Sequence, residues 1–133
     1  MFSALLLTIS TVALAQFAVY YWRAVLAGVA ARPLSEEVLA AAQVRGDLHG
    51  RDFRALAELH DLTPNLEKNT SHLGMVRCYF AVIHAVGNLA NGRLTALSGW
   101  AERERVLCAR YAAVQVERRL QANLALAASM RAC

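Results

Sequence analysis

No charged side chain precedes Arg23, and this is the feature that most limits what the chain can fold into. At about 1.5 Å per residue, Met1–Trp22 would extend about 33 Å as an α-helix. The hydrocarbon core of a bilayer is about 30 Å thick. The segment therefore predicts one membrane-spanning helix.

An aromatic cluster follows the apolar segment, formed by Tyr20, Tyr21 and Trp22, with Arg23 directly after it. This order is typical of the point where a span meets the lipid headgroups. The helical pattern continues to residue 31 and ends before a proline, because the residue preceding proline avoids helical geometry. We predict an anchor helix over 1–31 and a helical domain over 32–133 that folds on its own.

A cleaved signal peptide is the alternative interpretation of the same segment. Small residues before Gln16 resemble a cleavage site, so that cutting after Ala15 would release a secreted helical protein. Against this, no basic residue precedes the apolar run, and the run continues to Val19. The sequence therefore favours a retained anchor.

The orientation follows from the positive charges. Arg23 and Arg32 follow the predicted span closely, and the side of a membrane richer in positive charge is usually the cytoplasm. The three cysteines, Cys78, Cys108 and Cys133, are odd in number and form no CxxC pair, which is typical of reduced thiols. We predict a single-pass protein with its N-terminus outside and its C-terminal domain cytoplasmic.

The charge pattern argues against a nucleic-acid partner. The net charge is only +4, and acidic and basic side chains are interleaved in 102–105 and 117–119. Nucleic-acid binders instead concentrate positive charge on one face. The expected partners are a membrane and another protein.

After the anchor, the pattern predicts about four helices and therefore an all-α fold. The first of these helices is predicted to begin at Ser35, and the other three are predicted over Asp52–Leu62, His72–Leu89 and Trp100–Ala132. The sequence shows no strand-like alternation between them. The last helix carries an apolar stripe that is expected to face the core along its whole length. Its members are Val106, Ala109, Ala113, Val116, Leu120, Leu124, Ala127 and Met130.

A polar stripe lies on the third of these helices. Arg77, His84, Asn88 and Asn91 are spaced by seven, four and three residues, which places them along one side of a helix. Arg77 and His84 also interrupt the apolar run, so a second span is not expected. The stripe could bind an anionic ligand or a partner's carboxylate, although a solvated helix face is the favoured interpretation.

The densest polar cluster is Glu58, His60 and Asp61, at the end of a predicted helix. A small enzyme or ligand-binding protein could use His60 with Glu58 or Asp61 in acid–base chemistry. A histidine at a helix C-terminus is also favourable simply because of the helix dipole. The histidines form no HExxH pattern and no cysteine–histidine cluster, so neither a metal nor a cofactor is expected.

Small side chains recur on one face of the predicted span, at Thr8, Thr11, Ala15 and Ala18. Small residues let helix backbones approach closely in lipid, which favours association of spans. A short anchored chain without a reactive constellation is expected to act as a docking or assembly element for another membrane protein.

Overall fold

The computed structural model describes residues 1–41, 47–66, 72–90 and 95–133, and within these ranges all regular secondary structure is helical. A short 3-10 helix, Gly50–Asp52, leads directly into the third α-helix. The α-helices are α1 (Phe2–Ala30), α2 (Glu36–Ala41), α3 (Phe53–Leu62), α4 (Leu73–Ala90) and α5 (Thr95–Ala132). The all-α prediction is therefore confirmed over the described ranges.

Helix α5 is the centre of the bundle. Its residues Tyr111–Val116 are all buried, so neighbours surround that part of the helix on every side. Alanines make up much of this stretch and let the surrounding helices approach closely. The fully buried side chains that meet here come from every α-helix of the fold, and they include Leu26, Val38, Leu56, Val76, Cys108 and Val116.

Helix α1 has two parts with opposite surroundings. Every residue up to Tyr21 is exposed, whereas Leu26 has no exposed surface and Ala30 is buried. The exposed part, Phe2–Tyr21, is about 30 Å long at 1.5 Å per residue. The last two turns of α1 therefore belong to the core of the bundle, although the sequence-based division placed them with the anchor.

Among the described residues, two helices are long and apolar enough to cross a membrane. Helix α1 has a mean hydropathy of 1.9 over a window with no buried residue, and α4 has 1.3 over a window that is one-third buried. In α4, Val76 and Ile83 lie in the interior of the bundle, as expected of a core helix. The length and composition of α1 fit both a retained anchor and a cleaved signal sequence.

Helix α5 ends at Ala132 as predicted, but its start and the burial of its apolar stripe differ from the prediction. It begins at Thr95 rather than Trp100, because Gly99 is accommodated inside the helix, where it costs only about 1 kcal/mol relative to alanine. The prediction that its apolar stripe is buried throughout is wrong beyond Leu120. Leu124 and Met130 are each 65% exposed, because the helix runs past the end of the bundle.

Candidate functional site

A buried carboxylate joins α1 to the bundle. Glu104 on α5 has no exposed surface, and its Oε1 lies 2.6 Å from Nε of Arg23. This contact is an ion pair without the alignment of a hydrogen bond. The hydroxyl group of Tyr79 on α4 donates a hydrogen bond to Oε2 of Glu104 at 3.0 Å. One carboxylate therefore connects three helices at the point where α1 enters the bundle.

The predicted membrane-interface residues lie at this same junction. Tyr20 and Tyr21 are exposed, Trp22 is half-buried, and Arg23 makes the ion pair with Glu104. The rings of Tyr21 and Trp22 meet edge to face, with their centres 6.5 Å apart. The aromatic cluster thus marks the boundary between the exposed and the buried part of α1.

The small-residue face of α1 is fully exposed at Thr8, Thr11, Ala15 and Ala18. The hydroxyl groups of the two threonines donate hydrogen bonds to carbonyl oxygens one turn earlier, at Ala4 and Leu7, over 2.6 and 2.7 Å. Both hydroxyl groups are therefore satisfied within the helix. Contact of this face with another helix stays a prediction.

A groove between α3 and α4 brings together residues from both polar patterns in the sequence. Its volume is about 580 Å³. The polar residues that line it are Arg54, Glu58, Asp61, Arg77, His84 and Asn88, while Phe53 and Phe80 form part of its apolar floor. The fourth member of the predicted stripe, Asn91, lies outside the described residues.

Two charged residues of this groove, Asp61 and Arg77, are paired with each other. Nη2 of Arg77 donates hydrogen bonds to Oδ2 of Asp61 at 2.5 Å and to the carbonyl oxygen of Ala57 at 2.9 Å. The hydrogen bond from Arg77 holds the pKa of Asp61 below its usual value. Glu58 is the remaining carboxylate of the groove and Arg54 its second arginine, beside a lining that is mainly apolar.

His60 does not line the groove with its sequence neighbours. It is only 3% exposed, and its Nδ1 lies 3.6 Å from Oδ1 of Asp61, too far for a hydrogen bond. Burial lowers the pKa of His60, and the positive charge of Arg119 lowers it further. The structure thus separates His60 from Glu58, and a role for His60 in acid–base chemistry stays a prediction.

Arg119 is a structural residue that the sequence analysis missed. Its Nη1 donates hydrogen bonds to the carbonyl oxygens of His60 at 2.7 Å and of Thr63 at 3.1 Å. The last carbonyl groups of a helix have no partner within the helix, and they attract positive charge. Arg119 therefore caps α3 from α5. Its place in an interleaved charge run gave no sign of this contact.

No group of three or more histidine, cysteine or acidic side chains that could hold a metal ion occurs among the described residues. Comparison with known proteins does not assign the chain to a family, since no family model, curated protein or solved structure matches it. The function must therefore be argued from the exposed part of α1, its junction with the bundle and the surfaces around that junction.

Proposed function

We propose that the chain is a membrane-anchored helical protein that acts as a docking or assembly element for another membrane protein. One observation carries the proposal. Helix α1 exposes an uncharged apolar stretch about as long as a bilayer core is thick, and then enters the core of the bundle.

The energetic cost of that exposed surface supports membrane attachment. Leaving a large apolar side chain in water rather than burying it costs about 1.5 to 3 kcal/mol. The exposed large apolar side chains of α1 include Phe2, Leu5, Leu6, Leu7, Ile9, Val12, Leu14 and Phe17. No other described part of the chain covers them, so an apolar environment outside the chain has to do so.

The small-residue face supplies the docking contact in this proposal. Since Thr8 and Thr11 already donate to their own helix, a neighbouring span would meet this face by close packing rather than by hydrogen bonding. Both a second copy of the chain and a different protein fit this chemistry. Arg23 and Arg32 favour a cytoplasmic bundle, with the N-terminus outside.

Attachment is tested by extracting membranes with alkaline carbonate. The mass of the intact protein is then measured by mass spectrometry. We expect the chain to stay in the membrane fraction with residues 1–15 present. A mass beginning at Gln16 would show instead that the secreted alternative is correct.

Docking is tested by substitutions on matched faces of α1. Ala15→Leu and Ala18→Leu enlarge the small-residue face, whereas Ala13→Leu adds the same bulk about 200° around the helix from Ala15. Chemical cross-linking in native membranes should show one defined complex that the first two variants lose and the control retains. Equal loss in all three variants would contradict docking through this face.

A further inference from the structure

A second cleft lies beside the groove, between the segment that leads into α3 and the helices α4 and α5. We call it the arginine cleft, and its volume is about 370 Å³. It shares Arg54, Phe80 and His84 with the groove. Its remaining lining residues are His49, Gly50, Arg51, Glu102 and Arg105.

The position of Arg105 depends on two glycines. A Cβ atom at Gly50 would clash with Cβ of Arg105, and one at Gly87 would lie 2.6 Å from its Nη2. The side chain of Arg105 therefore packs directly against both glycines, and a side chain at Gly50 would displace it. It is 20% exposed, so most of its flexibility is lost before any ligand arrives.

The polar groups of the cleft are only partly satisfied within the chain. Nε of Arg105 lies 3.4 Å from Oε2 of Glu102, an ion pair without hydrogen-bond alignment. Nδ1 of His84 is buried and has no hydrogen-bond partner among the described residues. The ring of His84 lies nearly parallel to that of Phe80, which fixes its plane. The cleft thus contains oriented groups that can still donate hydrogen bonds.

The charge of the cleft is strongly unbalanced. Three arginines line it, against one carboxylate, Glu102, which is already close to Arg105. Arg51 is 4.0 Å from Asp52, the limit of an ion pair, and its side chain is largely exposed. An excess of guanidinium groups in a confined space favours an anion with several oxygen atoms, because each guanidinium can donate two parallel hydrogen bonds.

The cleft also lies close to the level at which α1 leaves the bundle. Helices α1 and α5 run in the same direction, since Arg23 contacts Glu104 and the backbone N–H of Ser35, just beyond α1, donates to Glu117. Arg105 is the residue after Glu104, and Glu102 lies two residues before it. If Tyr20–Trp22 mark the membrane surface, the cleft is within about one helical turn of the headgroup layer.

From these observations we propose that the arginine cleft binds a phosphate group. The phosphate can come from an anionic lipid headgroup or from free phosphate in solution. Arg51 and Arg54 supply mobile guanidinium groups at the rim, and Arg105 supplies a fixed one in the wall. Only the lipid source rests on the proposed membrane attachment, because the cleft itself is formed by the bundle.

The test uses the full chain in an uncharged detergent. Native mass spectrometry would compare retention of phosphatidylglycerol with that of phosphatidylcholine, and calorimetry would measure binding of inorganic phosphate without lipid. The double variant Arg51→Gln with Arg54→Gln removes two exposed charges from the cleft. The control, Arg103→Gln with Arg110→Gln, removes two exposed charges of α5 that do not line it.

We expect the cleft variant to lose about tenfold or more in affinity, since two charge-assisted contacts disappear, and the control to keep its affinity. Preferential retention of phosphatidylglycerol identifies a lipid source, and binding of inorganic phosphate alone identifies a soluble one. Equal losses in both double variants would show unspecific charge attraction and overturn the proposal. Absence of binding in both arms would also overturn it.

Failure of the phosphate site is distinguishable from failure of membrane attachment. Carbonate extraction should leave both double variants in the membrane fraction, because neither alters α1. If carbonate removes even the unmodified chain from the membrane, the proposed anchor is wrong. Calorimetry with inorganic phosphate still tests the cleft in that case.

Discussion

Nε of Arg23 lies 2.6 Å from Oε1 of Glu104, a carboxylate with no exposed surface. Tyr79 is its second partner. Removing one member of a fully buried ion pair typically costs about 3 to 5 kcal/mol, and here the cost is expected to be smaller because the side chain of Arg23 is half exposed. This contact is therefore expected to contribute more to the free energy of unfolding than a fully exposed ion pair would.

The first prediction concerns Arg23. Arg23→Ala should lower the melting temperature of the full chain in detergent markedly, as followed by circular dichroism, because Glu104 would remain buried and charged. Arg103→Ala removes an exposed arginine of α5 and should change the melting temperature little. Similar small effects of both substitutions would show that the ion pair contributes nothing.

The second prediction concerns where the bundle begins. A chain starting at Tyr21 should be folded and soluble, whereas one starting at Arg32 should be much less stable, because it lacks the fully buried Leu26. Loss of one buried leucine alone costs about 2 to 5 kcal/mol. Urea unfolding of the two truncated chains would measure the difference. Equal midpoints would support independent folding of 32–133, as the sequence analysis expected.

The third prediction compares two leucines. Leu56→Ala removes a side chain with no exposed surface and should cost about 2 to 5 kcal/mol in the free energy of unfolding. Leu124→Ala alters the exposed continuation of the α5 stripe and should fall within about 0.5 kcal/mol of the unmodified chain. A large effect at Leu124 would indicate that a partner or a second copy covers the end of α5.

The fourth prediction concerns pH. Because burial lowers the pKa of His60 below its usual 6.5, the unfolded chain takes up a proton there more readily than the folded chain. The stability is therefore complete above pH 6.5 and falls as the pH drops below it. His60→Gln should therefore weaken the dependence of the thermal unfolding midpoint on pH below pH 6.5. An unchanged slope would mean that His60 is not the group responsible.

Asp61 acts in the same direction but at lower pH, and serves as the comparison. Its pKa is held below the usual 3.8 by the hydrogen bond from Arg77, so the stability it contributes is present above pH 3.8. That contribution is lost as the pH falls through the lowered pKa. Because the Asp61 carboxylate raises the pKa of His60, Asp61→Asn should not flatten the slope between pH 5 and 6.5 as His60→Gln does.

The fifth prediction concerns topology and uses Cys133 as the probe. Cys78 and Cys133 are exposed, whereas Cys108 is buried, and burial raises its pKa to about 12. In a Cys78→Ser variant, Cys133 should therefore be the one readily reactive thiol. A membrane-impermeant thiol reagent should label it only after the cells are permeabilised. Labelling in intact cells would reverse the proposed orientation.

Periodicity predicted the helices more successfully than their contacts. The prediction for α3 is confirmed, since Asp52 is the N-cap of a helix that ends at Leu62, and the prediction for α4 was displaced by one residue at each end. The start of α5 was missed because one glycine was taken as a stop. Its stripe was extended too far because a helical period continues past the point where neighbouring helices end, and the sequence contains no signal for that point.

The charged residues were hardest to interpret from sequence. Glu104 and Arg105 sit in an interleaved run that is typical of a solvated face, yet one is buried against α1 and the other lies between two glycines. Which member of such a run turns inward depends on partners far along the chain. Asp61 and Arg77 likewise formed two separate patterns in the sequence and one groove in the fold.

The continuity of α1 has a mechanical consequence. No break separates its exposed part from Leu26, so in a bilayer the bundle would turn with the helix as a lever. A span tilts when the thickness of the bilayer changes. Helix α5 continues about 42 Å beyond Glu104, so a tilt of about 10° would displace its end by about 7 Å, mainly parallel to the membrane plane. The mean angle between the helices and the bilayer normal, measured by polarised infrared spectroscopy in bilayers of different thickness, would reveal this tilt.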